Sequence, residues 1–176
     1  MTLFLISALA LGCVLSLSAW TLRPGAPVQL LLVAMTVLAG AVPAIVVTVS
    51  DPGVDAGAIG WLHLVGGLLA VTGGGPLTMA VLWLVDQRSP TNHGSPDSMQ
   101  NAGKVLRGGA WIGALERIAV FASLVAGWPE GVAVVLAVKG LGRYPELRSP
   151  GAAERFIIGT LVSVLWAAAC AGVSLG

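Results

Sequence analysis

The sequence predicts an all-α fold, a polytopic transmembrane bundle of about six helices arranged three plus three around a cytoplasmic linker. Three observations carry that prediction. Of 176 residues, 56% are hydrophobic and only 10% charged, whereas a soluble domain carries about 25% charged residues to face water. Apolar stretches recur along the chain with short polar breaks, and at about 20 residues per crossing the length leaves room for roughly six. Finally, the basic residues gather on alternate connections, the asymmetry that sets membrane orientation. The same composition excludes disorder, and nine basic residues against eight acidic ones leave no basic field for nucleic acid.

Five stretches are plain: residues 2–21, 28–49, 58–85, 109–127 and 156–173. None alternates as a barrel strand does, so each reads as a helix whose backbone bonds internally. The first could be taken for a signal peptide, but no Lys or Arg precedes Arg23, and the stretch is long enough to span. The second carries Gly40 and Pro43, and the third carries Gly73, Gly74, Gly75 and Pro76, read as a helix break. Broken helices expose backbone groups that bind ions or substrates. A kink that brings neighbouring helices close is the preferred reading here, because no charged side chain shares the segment. No Lys-Ser/Thr follows the glycines, so they make no phosphate loop.

A weaker stretch, 131–138, continues through Lys139, Leu141 and Tyr144. Charge decides that it spans. With six helices, Arg23, Arg88, Lys104, Arg107, Lys139, Arg143, Arg148 and Arg155 all lie on or near one side. The opposite connections hold Asp51, Asp55 and Glu130. The basic side is the cytoplasm, so both termini face out. A five-span arrangement would strand four of the basic residues outside. Trp61, Trp83, Trp111 and Trp128 bracket the third and fourth helices as interfacial indoles do, and Trp166, in mid-helix, reads as a packing residue.

The polar segment between the third and fourth helices holds two Ser-Pro pairs and reads as a flexible linker. It divides the chain into an N-terminal half (1–85), the linker (86–108) and a C-terminal half (109–176). Cys13 and Cys170 lie in apolar helices and read as small buried hydrophobes. His63 and His93 have no partners at ligand spacing, so no metal site, cofactor or catalytic Cys/His pair is expected.

The informative residues are the charges within the last three helices. Glu116 and Arg117 lie about 12 Å from the cytoplasmic end of the fourth, at about 1.5 Å per residue. Lys139 and Arg143 share one face of the fifth. Glu154 and Arg155 open the sixth, followed by Gly159, Thr160 and Ser163. A charge at a helix centre costs about 3 kcal/mol to insert, so these groups should face the bundle and pair. Glu116 is expected to meet Lys139 or Arg143, Arg117 to meet Glu154, and Arg155 to snorkel. In one reading the cluster fixes packing, with Thr160 and Ser163 bonding across helices or back to their own. In the other it lines a cytoplasm-facing cavity for an anion such as a lipid headgroup phosphate.

The runs Gly113-x-Leu-Glu116-Arg117, Ala137-x-Lys139-x-x-x-Arg143-Tyr-x-Glu146 and Glu154-Arg-Phe-Ile-Ile-Gly-Thr160-Leu-x-Ser163 resemble a family of small bacterial polytopic membrane proteins without an assigned activity. The resemblance covers residues 109–173 and implies a multi-pass protein of the bacterial plasma membrane. It supplies no reaction. The leading expectation is a non-enzymatic scaffold or accessory subunit whose partners are membrane lipids, with anionic headgroups and a second copy of the chain as candidates. A small oligomeric transporter or channel is the alternative. A membrane-embedded enzyme acting on a lipid phosphate comes third, since the cluster holds no Asp or His for metal or nucleophilic chemistry.

Overall fold

The computed structural model describes residues 2–21, 28, 30–40, 56–88, 109–144 and 150–175. Among them are six helices and no strand: α1 (Thr2–Thr21), α2 (Leu30–Gly40), α3 (Ala56–Arg88), α4 (Gly109–Val125), α5 (Glu130–Gly142) and α6 (Pro150–Leu175). The fold is all-α. Two helices are long and apolar enough to cross a bilayer by themselves, α3 over Ile59–Val85 and α6 over Gly151–Leu175, while Ile6–Ala19 and Leu30–Gly40 form shorter apolar helices. Arg23, Pro43, Asp51, Asp55, His93, Lys104, Arg107, Glu146, Arg148 and most of the linker lie outside the described residues.

Two boundaries differ by three residues or more from the sequence reading. Helix α3 runs three residues past 85, into the expected linker. Helix α6 begins at Pro150, six residues before the apolar stretch, because a proline at the first helical position gives up only an N–H that would be unpaired there. Glu154 and Arg155 therefore sit within its second turn.

Helix α4 ends where Gly127 adopts φ +71°, a left-handed conformation that glycine enters without a Cβ clash. Trp128 N–H then donates to Ser123 C=O (2.8 Å) and Gly127 N–H to Leu124 C=O (3.0 Å), the paired closure of a Schellman cap. Pro129 follows as the N-cap of α5, with Glu130 in the first turn and Lys139 in the last, each on the side that complements the helix dipole.

Helix α3 is the hub, packed on α1, α4 and α6, while α5 packs on α4. Its residues at 62, 69 and 78 meet α6 at 174, 166 and 159 in that order, so the two helices run antiparallel. The pairs Gly67 with Phe121 and Gly74 with Arg117 make α4 antiparallel to α3 as well. Glu116 with Lys139 and Ser123 with Gly131 do the same for α5 against α4. The expected halves are thus interlocked: α3 of the first half is the seat for α4 and α6 of the second.

Glycine makes those seats. A Cβ on Gly73 would lie 2.7 Å from Trp166 Cζ2, one on Gly67 3.3 Å from Phe121, and one on Gly12 of α1 3.1 Å from Leu69. The core around them comprises Leu9, Leu69, Val120, Phe121, Trp166 and Ala167, all buried. The surface inverts the usual rule: Trp111 (75% exposed), Leu141 (76%) and Leu165 (67%) point outward, while Arg117 (6%), Ser163 (7%) and Ser174 (3%) point inward. Soluble proteins bury the first kind and expose the second.

The packing predicts a specific glycine effect. Gly73→Ala should destabilise by about 1–3 kcal/mol, because the rigid indole of Trp166 cannot give way. Gly60→Ala, with no neighbour within 4 Å, should be neutral or stabilising by about 0.5–1 kcal/mol through helix propensity. Thermal unfolding in detergent of both variants checks the contrast.

Candidate functional site

The charged residues act from adjacent positions on α4. Successive helical residues point about 100° apart, so Glu116 and Arg117 address different neighbours. Glu116 turns to α5, where its Oε2 accepts from Lys139 Nζ. Both side chains are mostly buried, and Lys139 Nζ also lies 5.7 Å from the ring centroid of Phe156 on α6, within reach of a cation–π attraction. One ammonium therefore ties α5 to both α4 and α6.

Arg117 turns the other way, to α3. Its Nε donates to the Val71 carbonyl at 3.1 Å, and its aliphatic stem lies against Gly74, where any Cβ would collide with it. Trp166 uses the adjacent seat: its ring lies over Gly73 and its Nε1–H donates to the Leu69 carbonyl at 3.1 Å. Both acceptors stand in the turns ahead of Pro76, which has no N–H to offer the preceding turn. Helix α3 continues through residues 73–76 without interruption. The expected break is thus a run of bare backbone that receives donors from α4 and α6. Thr72 and Thr78 bond back to the carbonyls of Leu68 (2.8 Å) and Gly74 (2.7 Å).

The expectations about the cluster divide. Glu116 pairs with Lys139, one of the two partners, Lys139 or Arg143, that comparable depth allowed. Arg117 does not meet Glu154: it is committed to α3, and Glu154 is exposed and forms no ion pair among the described residues. The physical reason is the 100° step, which cannot aim both charges of α4 at the same side. Thr160 and Ser163 do not bond across or back. Thr160 Oγ1 is buried without a partner, and Ser163, also buried, takes no hydrogen bond among the described residues. Arg143 caps α5 through its backbone N–H, 3.3 Å from the Gly140 carbonyl, with its side chain half-buried. Arg155 is exposed. Gly159 faces Thr78 on α3, 3.5 Å away.

Between α4, α5 and α6 the cluster leaves a gap of about 10 Å³, lined by Glu116, Arg117, Leu136, Lys139, Ser163 and Val164. That is about the room of one water. It is too small for a phosphate headgroup, so the cavity expected for a lipid phosphate is not present at this point. Cys13 and Cys170 are free thiols of the core, and Cys13 Sγ lies 3.8 Å from the Val65 carbonyl. No group of metal-ligating side chains occurs among the described residues.

Sequence reasoning missed one interhelical contact. Ser174 Oγ donates toward the carbonyls of Cys170 (2.9 Å) and Leu62 (3.3 Å), against Gly66 of α3. The signal available was the pair Gly66-Gly67 in mid-helix, which marks a face stripped for close approach. No family model matches this chain, and neither a curated protein nor a solved structure similar to it is found.

The ion pair makes a sharp prediction. Glu116→Gln leaves Lys139 charged and unpaired, and should cost about 3 kcal/mol with reduced yield of folded protein. The double variant Glu116→Gln/Lys139→Met should recover most of it, because removing both partners of a buried pair is milder than removing one. Midpoints of unfolding in detergent for the single and double variants measure the coupling.

Proposed function

We propose that this chain is a six-span protein of the bacterial plasma membrane, a small helical scaffold or accessory subunit whose intramembrane charges lock the second helical half onto α3. The observation that carries the reading is Arg117. A guanidinium only 6% exposed sits on a helix whose Trp111 and Leu115 are 75% and 62% exposed, an arrangement suited to an apolar solvent. Helix direction supports the count of six: α4 and α6 run parallel with α5 antiparallel between them, which needs α5 to cross. At 13 residues, about 20 Å, α5 is short for a bilayer of about 30 Å, so local thinning or burial against neighbours accompanies it.

The serine and threonine hydroxyls favour the same reading. Ser7, Ser18, Thr36 and Ser123 each donate to a carbonyl three or four residues earlier, which meets their hydrogen-bonding needs without water. The scaffold reading is preferred to a transporter because the stretch of α3 that would carry a pathway is filled by Arg117 and Trp166. It is preferred to a lipid-phosphate enzyme because the gap holds a single carboxylate, already paired. Anionic headgroups then meet Arg143 and Arg155 from the rim.

Orientation supplies the test. Cys170 is buried and Cys13 partly buried against the core, so with Cys13→Ala as background the labelled thiol is a cysteine introduced by Ser95→Cys in the linker. An impermeant maleimide should label it in inverted membrane vesicles and leave it unlabelled in intact cells. Labelling in intact cells overturns the orientation, and recovery of the chain in the soluble fraction overturns the membrane reading itself.

A further inference from the structure

The helices of this bundle are of two lengths. The apolar runs of α3 (Ile59–Val85, 27 residues) and α6 (Gly151–Leu175, 25 residues) measure about 40 Å and about 38 Å at about 1.5 Å per residue. Helix α5 has 13 residues, about 20 Å. A bilayer has about 30 Å of hydrocarbon, so the long helices exceed it and α5 falls short by about 10 Å. A long helix meets its excess by tilting, a remedy that a short helix lacks.

The exposed aromatic residues mark the same two thicknesses. Trp61 and Trp83 stand near the two ends of α3, about 33 Å apart along it, as interfacial indoles of an ordinary bilayer do. On the α4–α5 hairpin, the antiparallel pairs Glu116–Lys139 and Ser123–Gly131 put Trp111 level with Tyr144, and both are exposed. Trp128 is exposed in the turn at the other end. From Trp111 to Val125, the last residue of α4, is about 21 Å. Between these rings the hairpin shows Leu115, Ile118, Val134 and Val138 to the outside. Charged residues bound the short helix at both ends, with Glu130 opening α5 and Arg143 capping it.

We infer that the α4–α5 hairpin is a thin side of the protein, a surface fitted to phospholipids of short hydrocarbon length, while α3 presents the ordinary thickness. Lipid is the occupant because the exposed side chains of the hairpin are large and branched, whereas helices of this chain approach one another through glycine. Thinning costs little per ångström, but a shortfall of about 10 Å is enough to choose between lipids. A protein with one thin side gathers short chains there and settles in thin regions of a membrane.

The inference rests on the membrane reading, which the labelling of Ser95→Cys reports separately. The full chain with Cys13→Ala carries a bimane label on either Val138→Cys or Leu68→Cys, positions exposed on α5 and α3. Each is reconstituted in mixtures of brominated eighteen-carbon phosphatidylcholine with unbrominated phosphatidylcholines of fourteen to twenty-two carbons. Quenching by bromine reports which lipid occupies the face. At Val138 the fourteen-carbon lipid should displace the brominated one about three-fold better than the twenty-two-carbon lipid does. At Leu68 the order should be flat or favour the longer chains. The same order at both positions overturns the inference. So does a label at Val138 that brominated lipid fails to quench, because a second copy of the chain then covers the face.

Discussion

The structure depends on the bare backbone of α3. Gly66, Gly67, Gly73 and Gly74 remove the side chains that would hold neighbours away. The carbonyls so uncovered accept donors from three helices: Cys13 of α1 at Val65, Arg117 of α4 at Val71, and Trp166 and Ser174 of α6 at Leu69 and Leu62. In an apolar solvent, helix association has little hydrophobic drive of its own and relies on close packing and interhelical hydrogen bonds. Here the two come from the same positions. A glycine opens the approach, and the side chain that enters finds an acceptor at its end.

Proline completes this arrangement. Pro76 weakens the ladder of α3 just past the glycines, and a helix in lipid tolerates that where neighbouring side chains supply replacement bonds. Thr72 and Thr78 bond within α3 on either side of the proline, while Arg117 and Trp166 donate from outside to the carbonyls of Val71 and Leu69 in the turns ahead of it.

The charges of α4 extend the same logic outward. One residue, Arg117, fastens α4 to α3, and the next one back, Glu116, fastens α4 to α5 through Lys139. Lys139 in turn lies over Phe156 of α6. Each link joins a different pair of helices, so the cluster is distributed across the bundle and leaves a gap of water size at its centre.

The all-helical class, the positions of the helices and the inward turn of Glu116, Arg117 and Lys139 were legible in the sequence, because each follows from a local cost: apolar residues need cover, and a charge within an apolar helix needs a partner; Glu154 and Arg155, in the second turn of α6, are exposed instead. The fifth helix, weak by hydropathy, was legible through the placement of Lys139 and Arg143. Comparable depth on adjacent helices narrowed the partner of Glu116 to Lys139 or Arg143 and pointed Arg117 at Glu154, whereas the actual choice turns on azimuth. Only the tertiary structure decided it, along with the role of residues 73–76 and the unmet hydroxyl of Thr160. A chain specifies rise and rotation along each helix, but which faces meet depends on where glycines let two backbones approach, and that is a property of pairs of helices.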